Sequence, residues 1–187
     1  MIKLIVAVDR GNSIGWSDGR LPWRLPNDMK RFKELTTGCP VVMGFNTWVS
    51  LKRPTGLPNR KNIILTRKPY SEAREHFSAS ADVDIISSLD YIDQLNSRRS
   101  ADQPPIWIIG GASVYEDAVR RNLVDQFHIT LVDDSSGGDV RLMTDFAAWK
   151  LWTIREAKAG RQWHIDKTLP ERDGDFYTSY LTITRLS

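Results

Sequence analysis

The residue whose type and position most clearly suggest a chemical role is Asp28, an acid on the apolar face of a predicted helix. The helix is expected to begin close to Pro26, because proline suits the first position of a helix. Asp28, Phe32 and Leu35 then lie at positions i, i+4 and i+7 and share one face. A carboxylate on such a face must be hydrogen-bonded or paired, and could act as an acid in catalysis. A hydrated acid that merely complements the helix dipole is the alternative that this segment leaves open.

Two glycines, Gly110 and Gly111, lie between a predicted buried strand at 106–109 and a predicted helix at 112–121. Glycine at the start of a helix allows a phosphate to approach the free backbone N–H groups. A tight strand-to-helix turn also needs glycine for geometry alone, and the pair is not the G-x-G-x-x-G pattern of dinucleotide-binding proteins. The glycine pair by itself therefore does not specify a ligand.

Further glycine and basic residues stand beside other predicted strands. Gly44 separates a strand from a helix, Arg60 precedes the strand at 63–65, and Arg67 with Lys68 follows it. Arginine can bind a carboxylate or phosphate through two parallel hydrogen bonds, although an isolated surface arginine more often only adds charge. Because the carboxyl ends of parallel strands meet at the ligand-binding edge of an α/β sheet, these junctions predict one shared site.

The elements that must position these residues alternate between strand and helix, which favours α/β layering. Strands covered on both faces are predicted from continuous apolar runs at 2–8, 41–43, 63–65 and 106–109. Helices are predicted at 27–37, 45–51, 88–97 and 112–121. Strands without intervening helices are predicted near 125–132, 150–157 and 175–185, and loops at 67–81, 133–141 and 158–174. We expect a three-layer fold with a mainly parallel sheet, an antiparallel C-terminal strand and helices on both faces.

Composition limits the class of protein. The chain has 187 residues, enough for one compact domain, and its 41% hydrophobic and 26% charged content is ordinary for a globular protein. No apolar run is long enough to cross a membrane, and the short N-terminal run is expected to be a buried strand rather than a secretory signal. The single cysteine favours a reducing cytoplasm and argues against a metal site. The net charge of +3 comes from scattered basic residues, so no nucleic-acid role is expected.

Taken in order, five segments resemble the dihydrofolate reductase family, specifically its bacterial, monomeric, chromosomal type. The segments are Ile14-Gly15 with Leu21-Pro22-Trp23, Leu25-Pro26 with Asp28, Val42-Met43-Gly44 with Thr47-Trp48, Leu57-Pro58 with Arg60-Lys61-Asn62-Ile63, and Ile109-Gly110-Gly111 with Val114-Tyr115. The resemblance implies one domain over residues 1–187, with an adenosine-binding subdomain at about 39–105 and an eight-stranded mixed sheet. It implies reduction of 7,8-dihydrofolate to 5,6,7,8-tetrahydrofolate by a hydride from NADPH, with antifolate inhibitors as plausible ligands.

The resemblance also implies roles for individual residues. Asp28 is matched to the acid that holds the pterin and promotes protonation at N5, Thr130 to its hydrogen-bonding threonine, and Trp23 to a further catalytic residue. The other residues implied to bind substrate are Ile5, Val6, Ala7, Met29, Phe32, Leu51, Leu57, Arg60, Ile109 and Tyr115. The residues implied to bind the cofactor are Ala7, Ile14, Gly15, Gly44, Phe45, Asn46, Thr47, Thr66, Arg67, Lys68, Ile109, Gly110, Gly111, Ala112, Ser113, Val114 and Tyr115. No metal is expected.

The sequence departs from the family pattern on the cofactor side. Phe45 stands where an arginine commonly contacts the cofactor phosphates, and Ser113 replaces another basic residue. Arg67 and Lys68 remain suited to a 2′-phosphate, which favours NADPH over NADH. The alternatives are a non-catalytic folate- or nucleotide-binding protein of the same fold and a related reductase of a ribosylated pyrimidine.

Overall fold

The computed structural model describes residues 1–78, 82–135, 137–148 and 162–186. Its strands are β1 (Ile2–Asp9), β2 (Ser13–Gly15), β3 (Pro40–Gly44), β4 (Lys61–Leu65), β5 (Val83–Ile86), β6 (Ile106–Ile108), β7 (Gln126–Val132), β8 (Val140–Arg141), β9 (Trp163–Lys167), β10 (Glu171–Asp173) and β11 (Phe176–Arg185). Its helices are α1 (Pro26–Thr36), α2 (Phe45–Ser50), α3 (Tyr70–Arg74), α4 (Asp90–Ser97) and α5 (Ala112–Arg120).

One large sheet carries the fold, in the order β10-β11-β7-β1-β6-β3-β4-β5. The strands from β7 to β5 pair in parallel, whereas β11 runs antiparallel to β7. This confirms the predicted mainly parallel sheet with an antiparallel C-terminal strand. A ninth strand joins the eight along this path, because β9 and β10 both pair with β11. Outside the large sheet, β2 and β8 form a separate antiparallel pair.

Alternating side chains divide the core between the two faces of the sheet. On β1, Leu4, Val6 and Val8 belong to one buried cluster, which also contains residues of α4 and α5. Ile5 belongs to a second cluster, which contains residues of α1, α2 and α3. Because successive side chains of a strand point to opposite faces, the helices cover both faces, as predicted.

The structure differs from the sequence prediction mainly in short polar segments. The predicted loop at 67–81 contains α3, and the predicted loop at 158–174 contains β9 and β10. The sequence of β9, Trp163–Lys167, has no continuous apolar run, and its strand conformation depends on pairing with β11. The prediction also missed β2, β5 and β8. The predicted strand at 150–157 lies outside the described residues.

Within the described ranges, the helices are too short or too polar for any of them to cross a membrane.

Candidate active site

A hydrogen-bonded acid lies between α1 and the sheet. The hydroxyl Oγ1 of Thr130, on β7, donates a hydrogen bond of 2.6 Å to Oδ1 of Asp28, in the first turn of α1. Asp28 is partly buried. Burial raises the pKa of its carboxyl, and this effect outweighs the Thr130 hydrogen bond and the Arg31 charge, which lower it. The acid is therefore neither a fully hydrated surface group nor an isolated buried charge.

The register of the sheet brings Thr130 under α1. In the parallel pair of β1 and β7, Ala7 lies opposite Thr130 and Ile5 lies opposite His128. Neighbouring residues in register share a face of a sheet, so all four side chains face α1. The predicted juxtaposition of Asp28 and Thr130, which are 102 residues apart in the chain, is present.

An apolar surface continues from Asp28 along the same face. Five predicted substrate-binding residues belong to or pack against the second buried cluster described above: Ile5, Phe32, Leu51, Leu57 and Ile109. Four others are placed differently. Met29 is 54% exposed, the side chains of Val6 and Tyr115 belong to the cluster on the opposite face, and Ala7 packs against the cluster that contains Trp23 and Leu25. Only the backbone of Val6 therefore faces the site.

Arg60 is fixed at the far end of this surface. Its Nε donates to Oγ1 of Thr36 at 2.9 Å and its Nη1 donates to the carbonyl of Pro58 at 2.8 Å. Its guanidinium carbon lies 5.7 Å from the centre of the Phe32 ring. The guanidinium is thus held beside the apolar surface, in an orientation that backbone and side-chain acceptors determine.

The glycines of the predicted junctions meet at the carboxyl edge of the sheet. The N–H of Gly44 donates to the carbonyl of Gly110 at 2.7 Å, and the Gly110–Gly111 peptide bond is cis. A Cβ added to Gly44 would lie 3.1 Å from Val114, and one added to Gly111 would lie 3.1 Å from Oγ1 of Thr47. The starts of α2 and α5 therefore approach each other closely at this edge of the sheet.

Tyr115 links the glycine junction to β1. Its buried hydroxyl donates a hydrogen bond of 2.7 Å to the carbonyl of Ile5, and burial strongly raises the pKa of the phenol. A Cβ on Gly110 would lie 3.1 Å from this hydroxyl. The Tyr115 hydroxyl is thus held by the carbonyl of Ile5. Glycine suits position 110 because its φ is +117° and a Cβ there would crowd this hydroxyl.

Basic and aromatic side chains stand at the next junction. Phe45 packs edge-on against His76, with ring centres 5.0 Å apart, and the Lys68 amine lies 5.3 Å from the Phe45 ring centre. Lys68 also pairs with Glu72, while Arg67 is exposed after β4. Arg67 is therefore exposed where an anion could approach it, and the Phe45 ring lies beside Lys68 at the same junction.

The segment at 15–23 is anchored by the small sheet of β2 and β8. Both the N–H and the hydroxyl of Ser17 donate to the carboxylate of Asp139, at 2.6 and 2.7 Å. Trp16 is 37% exposed, whereas Trp23 is buried in a cluster with Leu25. The 15–23 segment is therefore buried at its C-terminal end, at Trp23, and Ser17 is hydrogen-bonded to Asp139.

Sequence reasoning missed three residues near the acid: Arg31, His128 and Asp173. Arg31 Nη2 lies 2.9 Å from Nδ1 of His128, whose Nε2 lies 2.8 Å from Oε1 of Gln126. Since a guanidinium only donates, Nδ1 accepts and Nε2 carries the proton. The i, i+3 spacing of Asp28 and Arg31 was a usable signal. No local pattern marks Asp173, which accepts hydrogen bonds from the start of α1.

Metal ligation has no support in the described part of the chain, where no group of three or more His, Cys, Asp or Glu side chains could hold an ion.

Comparisons with known proteins indicate the family of this chain. The family model described as "Dihydrofolate reductase" matches residues 1–171. The chain is 37% identical over 139 residues to dihydrofolate reductase type 3 of Salmonella typhimurium, covering 74% of this chain and 76% of that protein. It is 37% identical over 153 residues to the dihydrofolate reductase of Bacillus subtilis, covering 81% of each.

A solved structure of dihydrofolate reductase from Enterococcus faecalis, complexed with NADP(H) and a second ligand named RAB-propyl, is similar to the whole chain. The TM-score is 0.73 at 25% sequence identity, and the match covers 100% of this chain and 97% of that one. The family model, the relatives and the similar fold all indicate the same family. The chain belongs to the dihydrofolate reductase family.

Proposed function

We propose that this chain reduces 7,8-dihydrofolate to 5,6,7,8-tetrahydrofolate with a hydride from NADPH. The observation that carries the proposal is the partly buried Asp28 carboxyl, hydrogen-bonded to Thr130 at 2.6 Å on an otherwise apolar face. A heterocycle with an amino group and an adjacent ring nitrogen matches the two oxygens of one carboxylate. Family membership supports the same substrate.

Asp28 would orient the pterin and favour protonation at N5. Burial disfavours the charged form and raises its pKa, so the carboxyl keeps its proton to a higher pH than a hydrated aspartate does. Thr130 donates to one lone pair of Oδ1, so both carboxylate oxygens still have acceptor sites for the ring. Trp23, buried at the end of the 15–23 segment, would help to exclude water from the site.

The remaining substrate contacts follow from the apolar surface. Ile5, Phe32, Leu51 and Leu57 would enclose the rings, and Tyr115 would hold the carbonyl of Ile5 in position. Arg60 would pair with a carboxylate of the glutamate tail, because its guanidinium is already oriented beside Phe32. The same surface would accept antifolate inhibitors.

The glycine junctions fit a dinucleotide. NADPH, when bound, supplies the hydride, and the chain supplies binding and orientation. The start of α5 after Gly110 and Gly111 would meet the pyrophosphate, and Arg67 with Lys68 would meet the 2′-phosphate. The other residues proposed on this side are Ala7, Ile14, Gly15, Gly44, Phe45, Asn46, Thr47, Thr66, Ile109, Ala112, Ser113, Val114 and Tyr115.

We further propose one functional domain over residues 1–187, with residues 39–105 as an adenosine-binding subdomain. Support comes from β3, β4 and β5, which form one end of the sheet, where Arg67 follows β4. We also propose that the enzyme acts as a monomer in the cytoplasm, in keeping with its single cysteine.

The direct test follows the loss of NADPH absorbance with purified protein, with and without dihydrofolate. We expect dihydrofolate-dependent consumption. Replacing Asp28→Asn removes the titratable proton but keeps the shape, so the rate should fall by about 10²–10⁴-fold. NADPH binding, measured by fluorescence titration, should change by less than about twofold.

The matched control is Asp18→Asn, an exposed acid in the 15–23 segment. It should retain the wild-type response to a change of pH. Folded wild-type protein that does not consume NADPH with dihydrofolate would contradict the proposal and favour a binding protein or a pyrimidine reductase of the same fold.

A further inference from the structure

The first turn of α1 is held by a side chain from the other end of the chain. Asp173, at the end of β10, is fully buried. Its Oδ1 accepts a hydrogen bond of 2.8 Å from the backbone N–H of Asn27, and its Oδ2 accepts one of 2.9 Å from the backbone N–H of Asp28. Leu25 occupies the N-cap position of α1 and makes no side-chain cap. One carboxylate therefore satisfies two of the N–H groups that a helix leaves unpaired.

The turn between β10 and β11 packs directly against the entry to α1. Gly174 adopts a φ of +63°, and a Cβ there would lie 2.5 Å from the carbonyl oxygen of Arg24. The side-chain amide of Asn27 also donates to the carbonyl of Arg172 at 3.4 Å. The position of the Asp173 carboxylate is thus determined by the β10–β11 hairpin, and α1 is held against it.

The charges around Asp28 give Asp173 a second effect. The negative charge of Asp173 raises the pKa of the Asp28 carboxyl, whereas the positive charge of Arg31 lowers it, and burial remains the largest cause of the net increase. Four titratable or charged side chains, each from a different element, interact electrostatically with the Asp28 carboxyl. They are Arg31 of α1, Asp173 of β10, Tyr180 of β11 and Tyr115 of α5.

We propose that Asp173 is a positioning residue for the reduction, which fixes the backbone of Asp28 through two hydrogen bonds and places a second negative charge beside its carboxyl. This inference rests on the proposed function, in which Asp28 meets the pterin. Without the two hydrogen bonds the first turn of α1 loses its cap, and Asp28 shifts relative to Thr130 and the substrate. Without the charge, Asp28 gives up its proton at a lower pH.

The test uses two substitutions and one matched control in the full-length protein. Asp173→Ala removes both acceptors and the charge, whereas Asp173→Asn keeps the shape and one acceptor oxygen but removes the charge. Asp175→Asn removes an exposed acid of the same turn. The readouts are the single-turnover rate of dihydrofolate reduction across pH, and hydrogen exchange of the α1 backbone amides.

We expect Asp173→Ala to lower the single-turnover rate by about tenfold or more, because small displacements of a catalytic group are costly. The amides of Asn27 and Asp28 should exchange faster, while the later turns of α1 keep their protection. The rate is expected to fall as the pH rises and Asp28 loses its proton. In Asp173→Asn, the pH at which the rate has fallen by half should be lower by about 0.5 unit. Asp175→Asn should match the wild type in both measurements.

Several outcomes would overturn the inference. One is that Asp173→Asn leaves both the single-turnover rate and the pH midpoint unchanged. Another is that the Asn27 and Asp28 amides of the wild type are not protected from hydrogen exchange, a measurement that needs no variant. A loss of thermal stability without a change in the pH midpoint would reduce Asp173 to a structural residue. If Asp173→Ala does not fold, Asp173→Asn and the wild-type exchange still decide the question. An inactive wild type would instead contradict the proposed function, and the exchange result would stand apart from it.

Discussion

At the scale of single residues, the reactivity of Asp28 depends on competing neighbours. Burial raises the pKa of its carboxyl, whereas the hydrogen bond from Thr130 and the charge of Arg31 lower it. Arg31 is kept nearby because Nδ1 of His128 accepts from its Nη2 and its guanidinium carbon lies 4.9 Å from the Tyr180 ring centre. The proton on Asp28 is therefore controlled by side chains of α1, β7 and β11.

Replacing Arg31→Met should raise the pKa of Asp28, because an opposite charge that stabilised the carboxylate is lost. The proposed role of Asp28 predicts a rate of reduction that falls as pH rises through this pKa, so the midpoint of the fall should move to higher pH, by about 0.5–1 unit. Single-turnover rates across pH measure it. The exposed neighbour Lys30→Met is the control, and an equal midpoint in the two variants would refute the role of Arg31.

At the scale of elements, the 15–23 segment begins in the small β2–β8 sheet, whereas Trp23 at its end packs with Val132 of the large sheet. Ser13 and Gly15 of β2 pair with Arg141 and Val140 of β8. Gly138, just before β8, lies against the backbone of Gly15, where an added Cβ would be 1.7 Å from the carbonyl oxygen. The 15–23 segment, whose Trp23 is proposed to exclude water from the site, is thus positioned by a backbone contact that admits no side chain at position 138.

Replacing Gly138→Ala should displace β2 and the segment that follows it. We expect the single-turnover rate to fall by about tenfold or more, because the site would close imperfectly. Gly137→Ala is the matched control, since the three atoms nearest to a Cβ there are side-chain atoms of Asp9, Arg141 and Ser13, at 3.0, 3.2 and 3.7 Å, and none is backbone. Equal losses in both variants would show that the contact with Gly15 is unimportant.

At the scale of the whole molecule, one buried histidine makes the fold sensitive to acid. His128 is 7% exposed, and burial, with the charges of Arg31 and Lys3, lowers its pKa from 6.5 to about 3. The unfolded chain therefore binds a proton at this residue between about pH 6.5 and pH 3 that the folded chain does not. Its contribution to stability is complete above pH 6.5 and declines as the pH falls toward 3.

We expect the free energy of unfolding to decline on acidification by about 1.4 kcal/mol per pH unit from this residue within that window, a few kcal/mol at most. In His128→Gln this component of the slope should disappear, whatever the absolute stability. Urea denaturation at several pH values measures the slope, and the exposed His164→Gln is the control. Parallel slopes for wild type and His128→Gln would contradict the prediction.

Part of the site could be predicted because its signals are local. Apolar runs correctly indicated β1, β3, β4 and β6, since strands covered on both faces need no polar side. Helical spacing placed Asp28 on the same side of α1 as Phe32, and the glycines marked two strand-to-helix junctions. The match of Thr130 to Asp28 came from the family resemblance, and the structure contains the hydrogen bond.

Only the tertiary structure identified the groups that control the acid and its helix. The hydrogen bond between Asp173 and the backbone of Asp28 spans 145 residues, and that between Ser17 and Asp139 spans 122. The strands β9 and β10 likewise depend on pairing with β11. Periodicity and capping patterns report interactions within one element, whereas these contacts depend on which elements become neighbours in the folded chain. The sequence by itself therefore determined the layering and the acid, and the tertiary structure decided what holds that acid in place and sets its charge.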